Sequence, residues 1–232
     1  MFKNLELKDA KKMKQGIPTI LVPYREQKEQ SRSDQLKKFS SHMKRWHPDW
    51  KILVIEQSDD GKKFNRGALL NIGIFYANKM GSDYIIFHDV DLIPLSEIVP
   101  LYTMFPDEPV NIGNRWQSKW SGDGFRGVLS ISMKDAKRIN GYPNNFWGWG
   151  GEDDAMRIRM KIKNIKVWNP TGNSGFKEMP HLDTRQIPDA KNMRKWEDLK
   201  EDNGSSGLSN VKWKLLSKTE NKNILLFTVE II

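Results

Sequence analysis

Two acidic residues stand at the end of an apolar segment in the first half of the chain. Asp89 and Asp91, separated by Val90, follow Tyr84–His88, whose side chains are mostly apolar. Carboxylates at the end of a strand can bind a hard divalent cation, and such a cation neutralises a diphosphate. A DxD triplet alone is weak evidence, because many strands end in an Asp-rich turn. The apolar strand before the triplet and the Leu-Ile-Pro sequence after it favour the functional interpretation.

A second candidate site lies in Asn144–Asp154, with the sequence NNFWGWGGEDD, which combines two tryptophans, three glycines and three carboxylates. An acidic helix N-terminus would explain Glu152 and Asp153 through the helix dipole. It does not explain Trp149, which is set between glycines. Flexible glycines around an indole predict a small lid that folds over a ligand, with the carboxylates beneath it. Tryptophan faces also suit the apolar faces of sugar rings.

Basic residues extend the candidate site. Arg66 lies in the first turn of a predicted helix, directly after Asn65, which is a good N-cap residue. A cation in that turn opposes the helix dipole, so we expect an anion nearby. Arg25, just past the first predicted strand, could share that anion or contact a base. His181 is a lone loop histidine, and it becomes a metal ligand only if the fold brings it to the acidic residues.

Strand and helix patterns alternate in the first half of the chain. The predicted strands are Ile17–Val22 (ended by Pro23), Lys51–Gln57 and Tyr84–His88, and the predicted helices are Ser31–Trp46 and Arg66–Lys79. This order predicts an α/β fold whose mostly parallel, mixed sheet is flanked by helices. Ligands of such sheets bind beyond the carboxyl ends of the strands, where Pro23–Arg25 and Asp89–Asp91 fall.

The second half of the chain is more mixed. Predicted elements are short strands at Val110–Gly113 and Gly127–Ser132, helices at Lys134–Asn140 and near Asp189–Lys200, and two closing strands. Ala155–Lys163 alternates apolar and basic residues, as a strand does, but its Met, Arg and Lys content and its acidic start favour a helix, which we predict. The irregular stretch Thr171–Ile187 is long for a compact domain, and such loops are usually functional or mobile.

Length and composition restrict the class of protein. With 232 residues, 38% of them hydrophobic, we expect one domain over 1–232, with 1–16 as an N-terminal extension and 171–188 as a mobile active-site loop. No apolar run reaches the ~20 residues that cross a bilayer, and we expect neither a transmembrane segment nor a secretory signal. The lack of Cys excludes thiolate chemistry and fits a reducing compartment, so we expect a cytoplasmic protein. The net charge of +9 favours an anionic partner, but no long basic run indicates nucleic acid.

Taken together, these motifs resemble the β-1,4-galactosyltransferase family, family 7 of the glycosyltransferases. The matching segments, in the same order, are Pro23–Arg25, Phe64–Arg66, Leu69–Gly73, Phe87–Pro94, Asn140–Asp154, His181 and Gly207–Ser209. The block NGYPNNFWGWGGEDD is highly specific, whereas FNR and DVDLIP are each moderately specific. Animal members have a membrane anchor and usually cysteines, so this chain resembles a stand-alone bacterial or viral member.

The resemblance implies a GT-A fold and an inverting, Mn²⁺-dependent transferase. It would move a hexose or N-acetylhexosamine from a UDP-sugar to a hydroxyl of a glycan acceptor, forming a β-linkage. Galactose is the best guess for the donor sugar. Because Asn114–Arg126 matches the family poorly, N-acetylgalactosamine, N-acetylglucosamine, glucose and xylose stay open.

The resemblance also implies the metal ligands. Asp91 and His181 would bind Mn²⁺ directly, and Asp89 would face the ribose and sugar of the donor. Family members supply a third ligand from a Met three residues before the His or a His two residues after it. Those positions hold Glu178 and Asp183 here, and the local HLD pattern favours Asp183.

The remaining implied roles concern the substrates. Asp153 matches the catalytic base, and Trp149 matches the lid tryptophan that contacts donor and acceptor. Glu152 and Asp154 match residues that bind sugar hydroxyls. The implied substrate-binding set also contains Pro23, Tyr24, Arg25, Phe64, Arg66, Val90, Gly150 and Gly151.

Three alternatives stay open from the sequence. A retaining transferase of the polypeptide N-acetylgalactosaminyltransferase type also has a WGGE block and a metal-binding His, but the DxD triplet and Phe64–Arg66 argue against it. A non-catalytic glycan- or nucleotide-binding module is disfavoured by the complete set of Asp91, Asp153 and His181. A basic nucleic-acid binder is third, and its binding would be salt-sensitive without any effect of UDP.

Overall fold

The computed structural model of the chain describes residues 2–27, 30–116, 124–182 and 202–232. Its strands are β1 Phe2–Leu5, β2 Thr19–Tyr24, β3 Lys51–Gln57, β4 Tyr84–His88, β5 Leu92–Pro94, β6 Val128–Ser132, β7 Val167–Pro170, β8 Phe176–Glu178, β9 Trp213–Asn221 and β10 Ile224–Ile231. Its helices are α1 Leu7–Ala10, α2 Arg32–Trp46, α3 Arg66–Lys79, α4 Val99–Thr103, α5 Met133–Arg138 and α6 Glu152–Ile162, with 3₁₀ turns at Ser96–Ile98 and Ile112–Arg115.

Six strands form the central sheet in the order β6-β4-β2-β3-β10-β9. The four inner strands are parallel to one another, since β2 pairs with β3 and β4, and β3 pairs with β10. At the two edges, β6 and β9 pair antiparallel. The predicted mixed, mostly parallel sheet is therefore confirmed.

Alternating side chains of the inner strands enter two hydrophobic cores, one on each face of the sheet. Along β3, Leu53 and Ile55 lie in the core that contains α3, α5 and α6. Ile52 and Val54 lie in the core that contains α2 and α4. Strands buried on both faces need continuous apolar sequence, and the segment ILVI of β3 has it.

Two small sheets lie beside the central one. β1 pairs parallel with β7, so residues from the predicted N-terminal extension pair with the second half of the chain. Leu5 and Ala10 from this segment are buried. β5 pairs antiparallel with β8, and this pairing brings the first part of the long predicted loop next to the DxD segment.

The prediction that Pro23 ends the first strand is wrong. β2 continues to Tyr24, with Pro23 beside Ile55 of β3. Pairing with β4 stops at Leu21, so β2 has a single neighbouring strand at the proline. Proline has no N–H to donate to a second neighbouring strand. It is tolerated at this position for the same reason that it is tolerated on edge strands.

The strand predicted at Val110–Gly113 is also wrong. Val110 makes isolated bridges to Ser130 and Trp168, and the chain then enters a 3₁₀ turn. Gly113 lies so close to the neighbouring backbone that a Cβ atom would be 2.1 Å from the carbonyl oxygen of Arg126. This close packing of the turn depends on a residue without a side chain.

The helices that border the candidate site begin as their sequences indicate. The side chain of Asn65 accepts a hydrogen bond from the N–H of Ala68 at 2.9 Å, which confirms the predicted N-cap of α3. α6 follows Gly151, whose φ of 91° is a left-handed conformation that glycine adopts without strain. Three acidic residues in its first turn are favoured by the helix dipole, and the helix interpretation of this segment is confirmed.

Within the described ranges, no helix is both long and apolar enough to cross a bilayer. The helix predicted near Asp189–Lys200 and the last part of Thr171–Ile187 lie outside those ranges.

Candidate active site

The candidate site lies at the carboxyl ends of the inner strands, where the sequence predicts it. Asp89 directly follows β4, and its N–H donates to the carbonyl of Gly127 at 2.9 Å. Gly127 has a φ of 72°, and a Cβ atom there would lie 2.6 Å from Asp89 Oδ2. The glycine therefore leaves room for the Asp89 carboxylate.

Arg66 connects three carboxylates at this end of the sheet. Its Nε and Nη2 donate to Asp89 Oδ1 at 3.1 and 3.0 Å, and its Nη1 donates to Asp153 Oδ1 at 3.0 Å. Glu152 Oε1 is 3.7 Å from the same Nη1. The anion expected beside Arg66 is thus the chain's own set of carboxylates, and three of them face one guanidinium.

This arrangement shifts the pKa values of Arg66, Asp89 and Glu152. Burial lowers the pKa of Arg66, but Asp153 and Asp89 hold it well above its ordinary value. Burial raises the pKa of Asp89, against the opposing effect of Arg66. Burial and the neighbouring Asp153 raise the pKa of Glu152 to about 7. The carboxyl groups of Asp89 and Glu152 therefore hold a proton more readily than they would in water.

Asp91 is bonded to two basic side chains. Its Oδ2 lies 2.8 Å from His181 Nε2 and accepts from Arg32 Nη1 at 3.0 Å. Burial acts to raise the pKa of Asp91, but the bonds to His181 and Arg32 lower it to about 2. His181 Nδ1 lies 2.8 Å from the carbonyl oxygen of Leu182. Both ring nitrogens therefore face acceptor oxygens, so the protonated ring donates from Nδ1 and from Nε2, and the bond to Asp91 raises the pKa of His181.

Strand pairing explains how a distant loop histidine reaches the DxD segment. Glu178 at the end of β8 is paired with Leu92 of β5. The N–H of Met179 then donates to the carbonyl of Asp91 at 2.8 Å. Two residues later, His181 contacts the Asp91 carboxylate. The fold therefore brings the loop histidine to the acidic residues, as a role in metal binding requires.

The donor set of Asp91 and His181 fits a divalent cation. A carboxylate oxygen and an imidazole nitrogen are ligands that Mn²⁺ and related ions accept. In the part of the chain that the structure describes, no third His, Cys, Asp or Glu lies close enough to these two residues to complete a metal site. Asp183, the preferred third ligand, lies outside that part. The carboxylate of Glu178 accepts instead from Trp116 Nε1 at 3.3 Å.

The glycine-rich segment before α6, which the sequence predicts to be a lid, has a left-handed backbone at three glycines. Gly148, Gly150 and Gly151 all have positive φ, between 91° and 99°. Trp149 is 45% exposed and lies three residues before Glu152, the first of the α6 carboxylates. The segment is joined to the start of α3, because the N–H of Gly148 donates to the carbonyl of Phe64 at 2.8 Å.

Two of the residues predicted to bind the donor, Arg25 and Phe64, lie next to each other. Arg25 lies 5.6 Å from the centre of the Phe64 ring and donates to the carbonyl of Lys62 at 2.6 Å. Arg25 therefore lies beside Phe64, and it does not share the carboxylates that pair with Arg66. Pro23 and Tyr24 end β2 beside them, and Tyr24 Oη donates to Glu26 at 3.2 Å.

Val90 and Asp154, two further predicted site residues, differ in how exposed they are. Val90 is buried between the two aspartates of the DxD triplet. Asp154 is partly exposed and pairs with Arg157 one turn along α6, at 3.4 Å. Its exposure leaves the carboxylate accessible to a sugar hydroxyl.

Sequence reasoning does not single out two residues that the structure adds to the site. Arg32 reaches Asp91 from α2 and is held by Gln30 and Gln35 at 2.9 and 2.8 Å. Tyr142 donates from its hydroxyl to Asp153 Oδ1 at 3.0 Å. Neither residue belongs to a sequence motif with a recognisable spacing, because the contacts with Asp91 and Asp153 depend on how separate elements pack. For Tyr142, the only local hint is its position inside the NGYPNN block.

Solved structures define the class of fold. The chain matches a Drosophila β-1,4-galactosyltransferase 7 mutant in complex with manganese, UDP-galactose and xylobiose, with a TM-score of 0.77 and 28% identity. The match covers 92% of this chain and 93% of that one. A mannosyltransferase from Pyrobaculum calidifontis shares the fold alone, with a TM-score of 0.51 and 13% identity over 75% of this chain and 63% of that one. The predicted GT-A fold is confirmed.

Sequence comparisons define the family. A model for the N-terminal region of glycosyl transferase group 7 matches residues 9–103, and one described as the N-terminal domain of galactosyltransferase matches residues 110–182. Human β-1,4-galactosyltransferase 4 is 33% identical over 217 residues, covering 91% of this chain and 62% of that protein. The xylosylprotein 4-β-galactosyltransferase of Caenorhabditis elegans is 30% identical over 214 residues, covering 86% and 71%. The chain belongs to glycosyltransferase family 7, the β-1,4-galactosyltransferase family.

The same comparisons limit two other inferences. The chain spans less than two thirds of the length of the human relative. The relatives described are animal proteins, so the expectation of a bacterial or viral member receives no support.

Proposed function

We propose that this chain is an inverting, Mn²⁺-dependent glycosyltransferase that moves galactose from UDP-galactose to a hydroxyl of a glycan acceptor. The observation that carries the proposal is the meeting of Asp153, the DxD carboxylates and His181 around Arg66 and Arg32 at the carboxyl ends of the strands. Family membership supports the reaction class. The Drosophila structure with manganese, UDP-galactose and xylobiose supports the choice of metal, donor and a xylose-containing acceptor.

Asp91 and His181 are the residues that would hold Mn²⁺, and Asp183 is our proposed third ligand. When bound there, the ion supplies positive charge that stabilises the leaving diphosphate. Arg32 now occupies one side of Asp91 Oδ2. We propose that it contacts the diphosphate once Asp91 is engaged by the metal, because a guanidinium matches phosphate oxygens well.

Asp153 is the proposed general base. It removes the proton from the acceptor hydroxyl as that oxygen attacks the anomeric carbon from the face opposite UDP. This geometry inverts the anomeric configuration, so an α-linked donor gives a β-linked product. Glu152 and Asp154 flank the base at the start of α6 and bind sugar hydroxyls. Trp149 covers the donor and acceptor from the glycine-rich lid.

The proposed donor-binding surface surrounds these groups. Arg66 and Asp89 form the floor of this surface, and Arg25 and Phe64 form the part that holds the uridine. Val90, Gly150 and Gly151 complete the proposed substrate contacts, together with Pro23 and Tyr24 at the end of β2. We also propose that residues 1–232 act as one catalytic domain, with 171–188 closing over the donor.

A thermal-shift titration tests the proposal. The chain is mixed with UDP or with a panel of UDP-sugars, each in the presence of Mn²⁺ or of EDTA. A ligand at ~100 times its Kd adds about 2.7 kcal/mol of stability, which is visible as a raised midpoint. We expect stabilisation that requires Mn²⁺, with UDP-galactose among the best sugars.

A transfer assay completes the test and separates the alternatives. UDP-galactose, Mn²⁺ and a β-xyloside or N-acetylglucosamine acceptor are incubated with the chain, and the anomeric configuration of the product is read by NMR. A β-linked product supports the proposal, whereas an α-linked product indicates a retaining enzyme. Mn²⁺-dependent UDP binding without transfer to any acceptor would indicate a binding module.

A further inference from the structure

The hydroxyl of Tyr142 is bonded to the proposed base. Tyr142 Oη and Arg66 Nη1 both donate to Asp153 Oδ1, each at 3.0 Å. Neither of these bonds uses Oδ2, and the Asp153 side chain is 29% exposed. Tyr142 is buried and the Arg66 side chain is only 12% exposed, so two enclosed donors hold Oδ1, and Oδ2 is the oxygen that neither of them engages.

Tyr142 is held rigidly in its place. Its N–H donates to Asn71 Oδ1 at 2.9 Å, and Asn71 Nδ2 donates back to its carbonyl at 2.7 Å. Its ring packs edge-on against Phe87, with centroids 5.1 Å apart. Burial and the nearby Asp153 raise the pKa of Tyr142 well above its ordinary value, so the hydroxyl keeps its proton and acts as a donor.

We infer that Tyr142 is a positioning residue for the base, and that its hydroxyl fixes the rotation of the Asp153 carboxylate so that Oδ2 faces the acceptor. This inference rests on the proposed function. Without the hydroxyl, Asp153 Oδ1 keeps only the bond from Arg66 Nη1, since Nε and Nη2 of Arg66 are engaged by Asp89. The carboxylate is then free to rotate about its Cβ–Cγ bond, and Oδ2 loses its fixed direction toward the acceptor. Tyr142 is only 1% exposed and does not reach either substrate itself.

The test is the Tyr142→Phe variant, which keeps the ring and removes the hydroxyl. We expect kcat to fall about tenfold, the scale of one hydrogen bond to a charged group. The KM values for donor and acceptor should not change, nor should the Mn²⁺-dependent midpoint shift with UDP. This split between kcat and KM is not expected from a general loosening of the site.

Tyr84→Phe is the matched control. It also removes a buried tyrosine hydroxyl, which donates to the carbonyl of Tyr102 at 2.8 Å, at the opposite end of β4 from Asp89. We expect a similar loss of thermal stability in this variant with an unchanged kcat. Comparing the two variants therefore separates positioning of the base from loss of a buried hydrogen bond.

The outcomes distinguish this inference from the proposed function. If the unaltered chain transfers sugar and Tyr142→Phe keeps its kcat, the role of Tyr142 is wrong and the proposed function stands. An equal fall of kcat in both tyrosine variants likewise overturns the positioning role. If the unaltered chain transfers no sugar, the proposed function fails, and the role of Tyr142 fails with it.

Discussion

Arg66 is the residue on which the electrostatics of the site depend. It faces Asp89, Glu152 and Asp153, which come from two segments far apart in the chain. One guanidinium cannot neutralise three carboxylates, so binding of a cation near the DxD segment relieves repulsion that the ligand-free chain retains. Burial is the main cause of the raised pKa of Glu152, about 7, and the neighbouring Asp153 adds to it.

Replacing Asp153 with asparagine tests the base directly. The amide oxygen introduced by the substitution still accepts from Tyr142 and Arg66, but the amide cannot take a proton from the acceptor. We expect Asp153→Asn to lower kcat by on the order of 10²–10⁴-fold while the Mn²⁺-dependent midpoint shift with UDP is kept. Asp34→Asn, at an exposed position in α2, is the control and should retain activity. Full transfer activity in Asp153→Asn would exclude this residue as the base.

The pKa of Glu152 predicts how stability changes with pH. In the ligand-free folded chain its pKa is about 7, above the ordinary 4.5, so between these values the folded state holds a proton that the unfolded state has lost. The contribution of Glu152 to the free energy of unfolding therefore falls as pH rises through this interval. The loss of stability is complete above about pH 7. Glu152→Gln removes the cost, which is at most about 3 kcal/mol.

We expect Glu152→Gln to melt higher than the unaltered chain at pH 8 and to differ little at pH 5. Midpoints are measured by differential scanning fluorimetry without metal or nucleotide. Glu220→Gln, at an exposed position on β9, is the control and should show no pH-dependent difference. The same midpoint difference at both pH values would contradict the assigned pKa of Glu152.

At the scale of elements, a buried ion pair fastens α6 to the segment that precedes β9. Arg159 Nε and Nη2 donate to the two carboxylate oxygens of Asp202 at 2.6 and 2.7 Å, and both side chains are only 3% exposed. Arg159 also donates to the carbonyls of Gly141 and Ser206 at 3.0 and 2.6 Å. The pair therefore joins the start of the NGYPNN loop to α6, the helix that carries the proposed base.

Removing the charge of Asp202 should therefore be costly. Asp202→Asn leaves Arg159 buried without its counter-charge, and we expect a loss of about 3–5 kcal/mol in the free energy of unfolding. Urea denaturation followed by tryptophan fluorescence measures it. Asp9→Asn breaks the exposed pair with Lys12 and should cost less than about 1 kcal/mol. Equal effects of the two substitutions would show that the Arg159–Asp202 pair does not fasten α6.

Sequence patterns predict the elements better than they predict how the elements meet. α3 and β4 have their predicted bounds, because an N-cap and continuous apolar runs are local signals. The proposed metal ligands Asp91 and His181 can also be selected from the sequence, through the DxD triplet and the family resemblance. Arg32 and Tyr142 are not, since their contacts arise only when α2 and the NGYPNN loop pack against the strand ends. Pro23 shows the same limit, because its effect on β2 depends on which strands lie beside it.

At the scale of the whole molecule, charge is distributed unevenly. The chain has a net charge of +9, yet carboxylates outnumber the basic side chain at the Arg66 cluster. The positive field of the whole chain favours the approach of an anionic sugar nucleotide. The local excess of carboxylates favours the divalent cation that would accompany it.

The topology predicts that the two halves unfold together. The two family matches meet between residues 103 and 110, but the sheet crosses that point, since β10 lies beside β3 and β6 lies beside β4. One core contains Leu53 from the first half and Met156 and Phe227 from the second. Neither half can bury its apolar surface alone, so we expect one cooperative transition in urea. We propose on this basis that 1–232 is a single folding unit.

Circular dichroism at 222 nm and tryptophan fluorescence measure this transition independently. Coincident curves are expected, because the helices and the packing around the tryptophans in the described part of the chain should be lost together. UDP with Mn²⁺ at saturating concentration should move both curves to higher urea by the same amount, since the site draws residues from both halves. Val229→Ala, in the buried part of β10, should lower both midpoints equally. Separate transitions, or a ligand that moves only one of the curves, would contradict a single folding unit.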